Sequence, residues 1–134
     1  MKIDSIANGI VLDHIQAGKS MELYRYLNLD ALDCSVAIIK NARSNKMGRK
    51  DVLKIDSLID LDLDMLGYLD PNITVSIIRN GTVERKLHLA PPQRLVNIKK
   101  CNNPRCITSV ERGLDQVFIM RDGVYRCLYC DGEK

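Results

Sequence analysis

The distribution of apolar and polar positions divides the first two thirds of the chain into short runs whose period predicts their structure. "GIVLDHI" is a short apolar strand, and "KSMELYRYL" spaces Leu23, Tyr24 and Leu27 along one face of a helix that Ser20 would cap. A second strand is expected in "CSVAIIKNA", a turn in the polar "RSNKMGRK", and a third strand in "DVLKID". "LIDLDLDMLGYL" reads as a helix with acidic residues early, where the helix dipole favours them. In "ITVSIIRNGTVERKLHL" the Asn80-Gly81 dipeptide lies between two β-rich runs and declares a hairpin; Val83, Arg85, Leu87 and Leu89 are expected on one face of its second strand. The order β-α-β-β-α-β with one added strand predicts an α+β fold: a ferredoxin-like βαββαβ sheet with helices on one face. "APPQ", Ala90 to Gln93, is stiff and cannot comfortably continue a strand, so the expected boundary separates a first domain, 1–91, from a second, 92–134.

The second domain has a different pattern. Val117 to Met120 and the pair Val124 and Tyr125 flank Asp122-Gly123, a favoured two-residue turn, which predicts a small all-β unit. Four of the five cysteines lie around this hairpin: Cys101 and Cys106 bracket four residues, Cys127 and Cys130 bracket two, and twenty residues separate the pairs. Short gaps let each pair wrap one side of a tetrahedral ion while the long segment returns to close the shell. One structural zinc ion per chain is therefore expected, with two disulfides or a redox pair as alternatives. Thiolate at all four positions leaves no site open for water or substrate, so the metal holds the fold. Cys34, inside "CSVAII", reads as a small core residue.

Composition narrows the setting. A chain of 134 residues that is 46% apolar can bury a modest core. No apolar run is long enough to cross a bilayer, and "MKIDSIANG" lacks the pattern of a secretory signal, so a cytoplasmic location without a membrane partner is expected. Thiols stay reduced there, which favours metal ligation over a disulfide framework. A net charge of +3 is mild for a nucleic-acid binder.

No catalytic constellation emerges. His14 and His88 lie in no motif that gives a nucleophile its base, no Gly-rich phosphate loop is present, and the acidic run near Asp60 lacks the glycine and terminal glutamate of a calcium loop. Binding chemistry is better represented. Lys50 and Lys54 are separated by an even interval and share a face of an extended strand, and Arg85 and Lys86 follow in the hairpin, so several cations can converge on a polyphosphate.

"GIVLDHI" followed by "AG", "MGRKDVLKI", the "ITVSIIRNGTVERK" hairpin and the terminal "CNNPRC" and "YRCLYC" pairs occur together and in order; in this the chain resembles the regulatory chains of aspartate carbamoyltransferase along nearly its whole length. The resemblance implies a non-catalytic subunit with an N-terminal nucleotide-binding domain and a C-terminal zinc domain that docks the catalytic chain, in feedback control of pyrimidine biosynthesis. Its effectors would be CTP and ATP, with UTP a further candidate. Its assembly would be a regulatory-chain homodimer within a holoenzyme of two catalytic trimers and three regulatory dimers. Residue by residue, the resemblance implies base and sugar contacts at Ile3, Asp4, Ser5, Ile6, Asp13 and His14, and triphosphate contacts at Lys54 and Lys86 with Lys50 nearby. Ile78 and Val83 would flank the nucleotide. Ser76 stands where the best-known members carry asparagine, and Gly81 where they carry an aromatic residue. Partner contacts are expected at Asn102, Asn103, Arg105, Glu111 and Arg112. The rival reading is a small zinc-ribbon protein that binds nucleic acid, but one Phe and no Trp supply little stacking surface for bases. A thiol redox enzyme using Cys127 and Cys130 is the third reading; it requires a reactive low-pKa thiol.

Overall fold

The computed structural model describes residues 6–132. These fall into two compact units that divide between Ala90 and Pro91. In the first unit, strand β1 (Gly9–Gln16) leads to helix α1 (Ser20–Tyr26) and a single 3-10 turn at Leu29–Ala31. Strands β2 (Val36–Ser44) and β3 (Gly48–Ile55), helix α2 (Leu63–Leu69), and strands β4 (Thr74–Arg79) and β5 (Thr82–His88) follow. The sheet order is β2-β3-β1-β4-β5 with every neighbour antiparallel, which is the expected split arrangement with β5 added at one edge.

Alternation along the strands determines the two faces. Ile10 and Leu12 on β1, Leu53 and Ile55 on β3 and Val75 on β4 point to one side, where they join Leu23 of α1 and Leu66 of α2 in a buried cluster. Val11, Lys54, Ser76 and Lys86 are direct register partners across β3, β1, β4 and β5 and point to the other side. Among the described residues no helix covers that second face.

Four local expectations change. Ser20 does not cap α1: it is the first helical residue, and its hydroxyl donates instead to the Asp51 carboxylate of β3. The turn expected over "RSNKMGRK" is short, because β2 runs through Ser44 and β3 begins at Gly48. α2 begins only at Leu63, with Asp62 as its cap accepting the Met65 amide at 3.1 Å; the preceding residues alternate with period two and suit no helical face. Finally, a bulge at Glu84 turns β5 over, so Val83 shares the open face with Ile78 while Arg85 and Leu87 pair with Ile77 and Val75 on the other.

The second unit has a three-stranded antiparallel sheet, β6 (Arg94–Val96), β7 (Val117–Arg121) and β8 (Val124–Cys127), in the order β6-β7-β8. Asp122 and Gly123 have φ of 50° and 81°, the doubly left-handed turn that joins twisted strands. A four-residue helix, α3 (Ile107–Val110), interrupts the otherwise β architecture. Leu95, Val117, Phe118 and Tyr125 are buried, and the Tyr125 hydroxyl donates to the Pro92 carbonyl at 2.7 Å. Among the described residues no helix is long and apolar enough to cross a membrane.

Candidate functional site

The four cysteines come from two tight turns and meet at one point. In the first, the Cys106 amide donates to the Asn103 carbonyl at 3.0 Å, and Cys106 is the residue from which α3 starts. In the second, Cys127 ends β8, its carbonyl accepts the Asp131 amide and its own amide donates to Gly132. All four Sγ atoms lie within 4.8 Å of one another, with Cys101 to Cys130 at 3.6 Å and Cys106 to Cys127 at 3.7 Å. A tetrahedral ion about 2.3 Å from each sulfur requires edges of about 3.8 Å, so the donors already stand where a zinc-sized ion needs them. A disulfide requires about 2.05 Å, and these thiols are free.

The electrostatics also call for a cation. Burial, the largest influence, pushes the Cys101 thiol up to about 11, whereas the Gly132 amide and then the Asn103 side chain hold Cys130 down at about 6. The Thr108 hydroxyl, 3.1 Å from the Cys106 sulfur, lowers that thiol as well. Such a cluster cannot carry four negative charges unaided, and a soft divalent ion supplies the missing charge.

The open face of the first unit collects most of the remaining predicted residues. Lys54, Val11, Ser76 and Lys86 form one rung across four strands, which places the two lysine Cα atoms about 14 Å apart at ordinary strand spacing. Two lysines extended toward each other across that gap can clasp a di- or triphosphate. Ile78 and Val83 are paired on the adjacent rung, and with Ile6, Val11, Lys54 and Gly81 they line a cavity of about 180 Å³. The N-terminal segment is tied to this end of the sheet: the Gly81 amide donates to Ala7 and the Asn80 amide to the Asn8 side chain.

On the other side of that rung lies a polar group. The Asp13 carboxylate accepts the His14 amide at 2.6 Å and the Lys50 ammonium at 2.9 Å, and the His14 ring lies 3.1 Å from the Thr74 hydroxyl. Burial raises the Asp13 pKa, but the Lys50 hydrogen bond, the His14 amide and the Lys50 charge outweigh it, and the carboxyl titrates below its ordinary value. Asp13 and Lys50 were separate candidates in the sequence; the structure makes them an ion pair. Among the described residues Lys54 and Lys86 have no carboxylate partner, whereas Lys50 would meet an anion with Asp13 already beside it. Ile3, Asp4 and Ser5 lie outside the described residues. Sequence reasoning missed Val11 and Thr74, which strand register alone would have placed on this face.

The architecture is that of a two-unit protein, with an open sheet face in one unit and a four-thiol cluster of metal-binding geometry in the other. Residues 1–90 match the family described as aspartate carbamoyltransferase regulatory chain, allosteric domain, and residues 93–133 match its metal binding domain. Aspartate carbamoyltransferase regulatory chains of Clostridium botulinum (strain Hall) and Clostridium acetobutylicum are 46% and 48% identical over 134 residues, covering 98% of this chain and 92% of each relative. That of Bifidobacterium longum is 40% identical over 136 residues, covering 99% and 98%. The chain belongs to the family of aspartate carbamoyltransferase regulatory chains. Its two domains are of the allosteric and metal-binding kinds rather than catalytic ones.

Proposed function

We propose that this chain binds nucleoside triphosphates on the open face of its first domain, 1–91, and relays their presence to a catalytic chain of aspartate carbamoyltransferase held by its second domain, 92–134. CTP and ATP are the effectors, with UTP a further ligand of the same chemistry, and the output is feedback control of pyrimidine biosynthesis in the cytoplasm. The observation that carries this reading is the rung with a lysine at each end, Lys54 and Lys86, beside the small apolar cavity at Ile6, Ile78 and Val83. Lysines at that separation suit phosphates, and the cavity suits the flat apolar face of a base or ribose. Ile3, Asp4 and Ser5 complete the base contacts, Asp13 and His14 add polar ones, and Ser76 supplies a hydroxyl between the lysines.

The metal is zinc, and its role is structural. It fixes both cysteine turns and the surface they present, where Ile107, Val110, Leu128 and Tyr129 are exposed. Exposed apolar side chains on both cysteine turns favour docking on a protein over the nucleic-acid reading, and the polar residues Asn102, Asn103, Arg105, Glu111 and Arg112 lie near them in sequence. Regulatory homodimers would bridge two catalytic trimers, three dimers to each assembly. Nucleotide can shift such an assembly only by binding its two states with different affinity. The test is reconstitution with the catalytic chain: CTP and ATP should change the substrate saturation curve of the complex. A complex that forms but ignores both nucleotides contradicts the proposal.

A further inference from the structure

Asp51 is a buried charge that the effector reading does not use. It lies on the core side of β3 and is 0% exposed. Oδ2 accepts the Gly18 amide at 3.0 Å, the Ser20 amide at 3.2 Å and the Ser20 hydroxyl at 2.6 Å, while Oδ1 accepts the Asn41 amide at 2.8 Å. These donors come from the β1–α1 turn on one side and from β2 on the other.

Both strands that flank β3 are bulged beside this carboxylate. On β1, Asp13 and His14 together face Val52; on β2, Lys40 and Asn41 together face Asp51. His14 and Asn41 each take a left-handed backbone, with φ of 60° and 59°, a conformation that side chains other than glycine enter at a cost. Asp51 binds the Asn41 amide directly and closes the turn that follows the β1 bulge. On the opposite side of the sheet that bulge carries Asp13, whose carboxylate holds Lys50, the neighbour of Asp51 in sequence. Lys54 and Lys86 lie on regularly paired rungs away from both bulges.

We propose that Asp51 is a positioning residue for the polar end of the effector face, beyond the Lys54–Lys86 rung: by holding the two bulges in place from the core side, it sets where Asp13 and Lys50 stand on the open side. The proposal rests on the nucleotide reading above and assigns to Lys50 a dependence that Lys54 and Lys86 do not share. A purely structural carboxylate would weaken all three lysines alike.

The test is a pair of double-mutant cycles on the full, zinc-loaded chain, with CTP as the titrant. Lys50→Ala should weaken CTP binding about tenfold in the parent, the size of one charge-assisted contact, and should have no further effect in Asp51→Asn. Lys54→Ala should weaken binding equally in both backgrounds. Should Asp51→Asn fail to fold, Ser20→Ala removes one of the four hydrogen bonds and leaves the backbone donors, and the same selective coupling is expected at smaller size. A measurement without nucleotide accompanies the cycle: the Lys50 ammonium resonance, protected while paired with Asp13, should be lost in Asp51→Asn or Ser20→Ala while that of Lys54 is unchanged. Effects of Lys50→Ala and Asp51→Asn that simply multiply, or an ammonium signal that survives, overturn the positioning role. A parent that does not bind CTP at all overturns the nucleotide reading itself, and with it this role.

Discussion

Removal of the metal should unfold the second unit and leave the first intact. The large apolar side chains buried there are Leu95, Val117, Phe118 and Tyr125. At about 1.5–3 kcal/mol each they contribute about 6–12 kcal/mol before any entropy is charged against them. A structural zinc site contributes about 10–16 kcal/mol, so the ion matches or exceeds the whole apolar core of the unit. Without it, a segment of about 40 residues falls below the size that usually folds unaided. The first unit has its own cluster of Leu12, Ile15, Leu53, Ile55 and Leu66, each fully buried, and gains nothing from the metal. Hydrogen exchange on the chelated chain is the assay. Amides of β7 and β8 should lose protection while those of β1 and β3 keep theirs, and added zinc should restore the pattern. Protection of β7 and β8 that persists without metal would refute the reasoning, as would loss of both units together.

Three further outcomes follow from particular residues. Metal binding must displace thiol protons, since unfolded cysteines titrate near their ordinary value of about 8.5 and are mostly protonated at neutral pH; a dye assay at that pH should therefore register proton release, and affinity should fall as pH falls. Burial raises the Asp51 pKa, but hydrogen bonds from Ser20, Asn41 and Gly18 bring it below the ordinary value of 3.8. A lowered native pKa gives stability that is present above 3.8 and is lost as pH drops through the native value, so Asp51→Asn should destabilise the first unit by about 3 kcal/mol at pH 7 in urea titration and flatten its acid limb. Gly67→Ala in α2 should lower the unfolding free energy from urea titration by about 1–3 kcal/mol despite alanine's better helix propensity, because the added methyl would press on the Ala90 carbonyl oxygen.

The parts of the fold legible in the sequence are those controlled by local chemistry. Asn80-Gly81 and Asp122-Gly123 determine their hairpins because both residues of such a turn need positive φ, and all four have it. The cysteine spacing was equally informative, since short gaps alone dictate that each pair can face one ion. Bulges were not legible. Val83 and Lys86 are an odd interval apart and should point to opposite faces, yet the extra residue Glu84 brings them to the same one. Lys50 and Lys54 share a face as expected because β3 itself is regular and the bulges lie in its neighbours. Asp51 was invisible for another reason: in "GRKDVLK" it reads as one more surface charge, and only the donors gathered by chain folding, 31 and 33 residues away at Ser20 and Gly18, explain its burial. Likewise Ser20 resembles a helix cap by sequence, but the cap role passes to a carboxylate from a distant strand.

The most direct test of the account is calorimetric titration of CTP into the zinc-loaded chain, beside a Lys54→Ala, Lys86→Ala variant of unchanged zinc content. The expected result is saturable binding in the parent and, with two charged phosphate contacts gone at about 1.5–3 kcal/mol each, loss of at least about a hundredfold in the variant. Equal affinity in the two proteins would contradict the placement of the phosphates on the Lys54–Lys86 rung, and no binding in either would contradict a nucleotide site on this face.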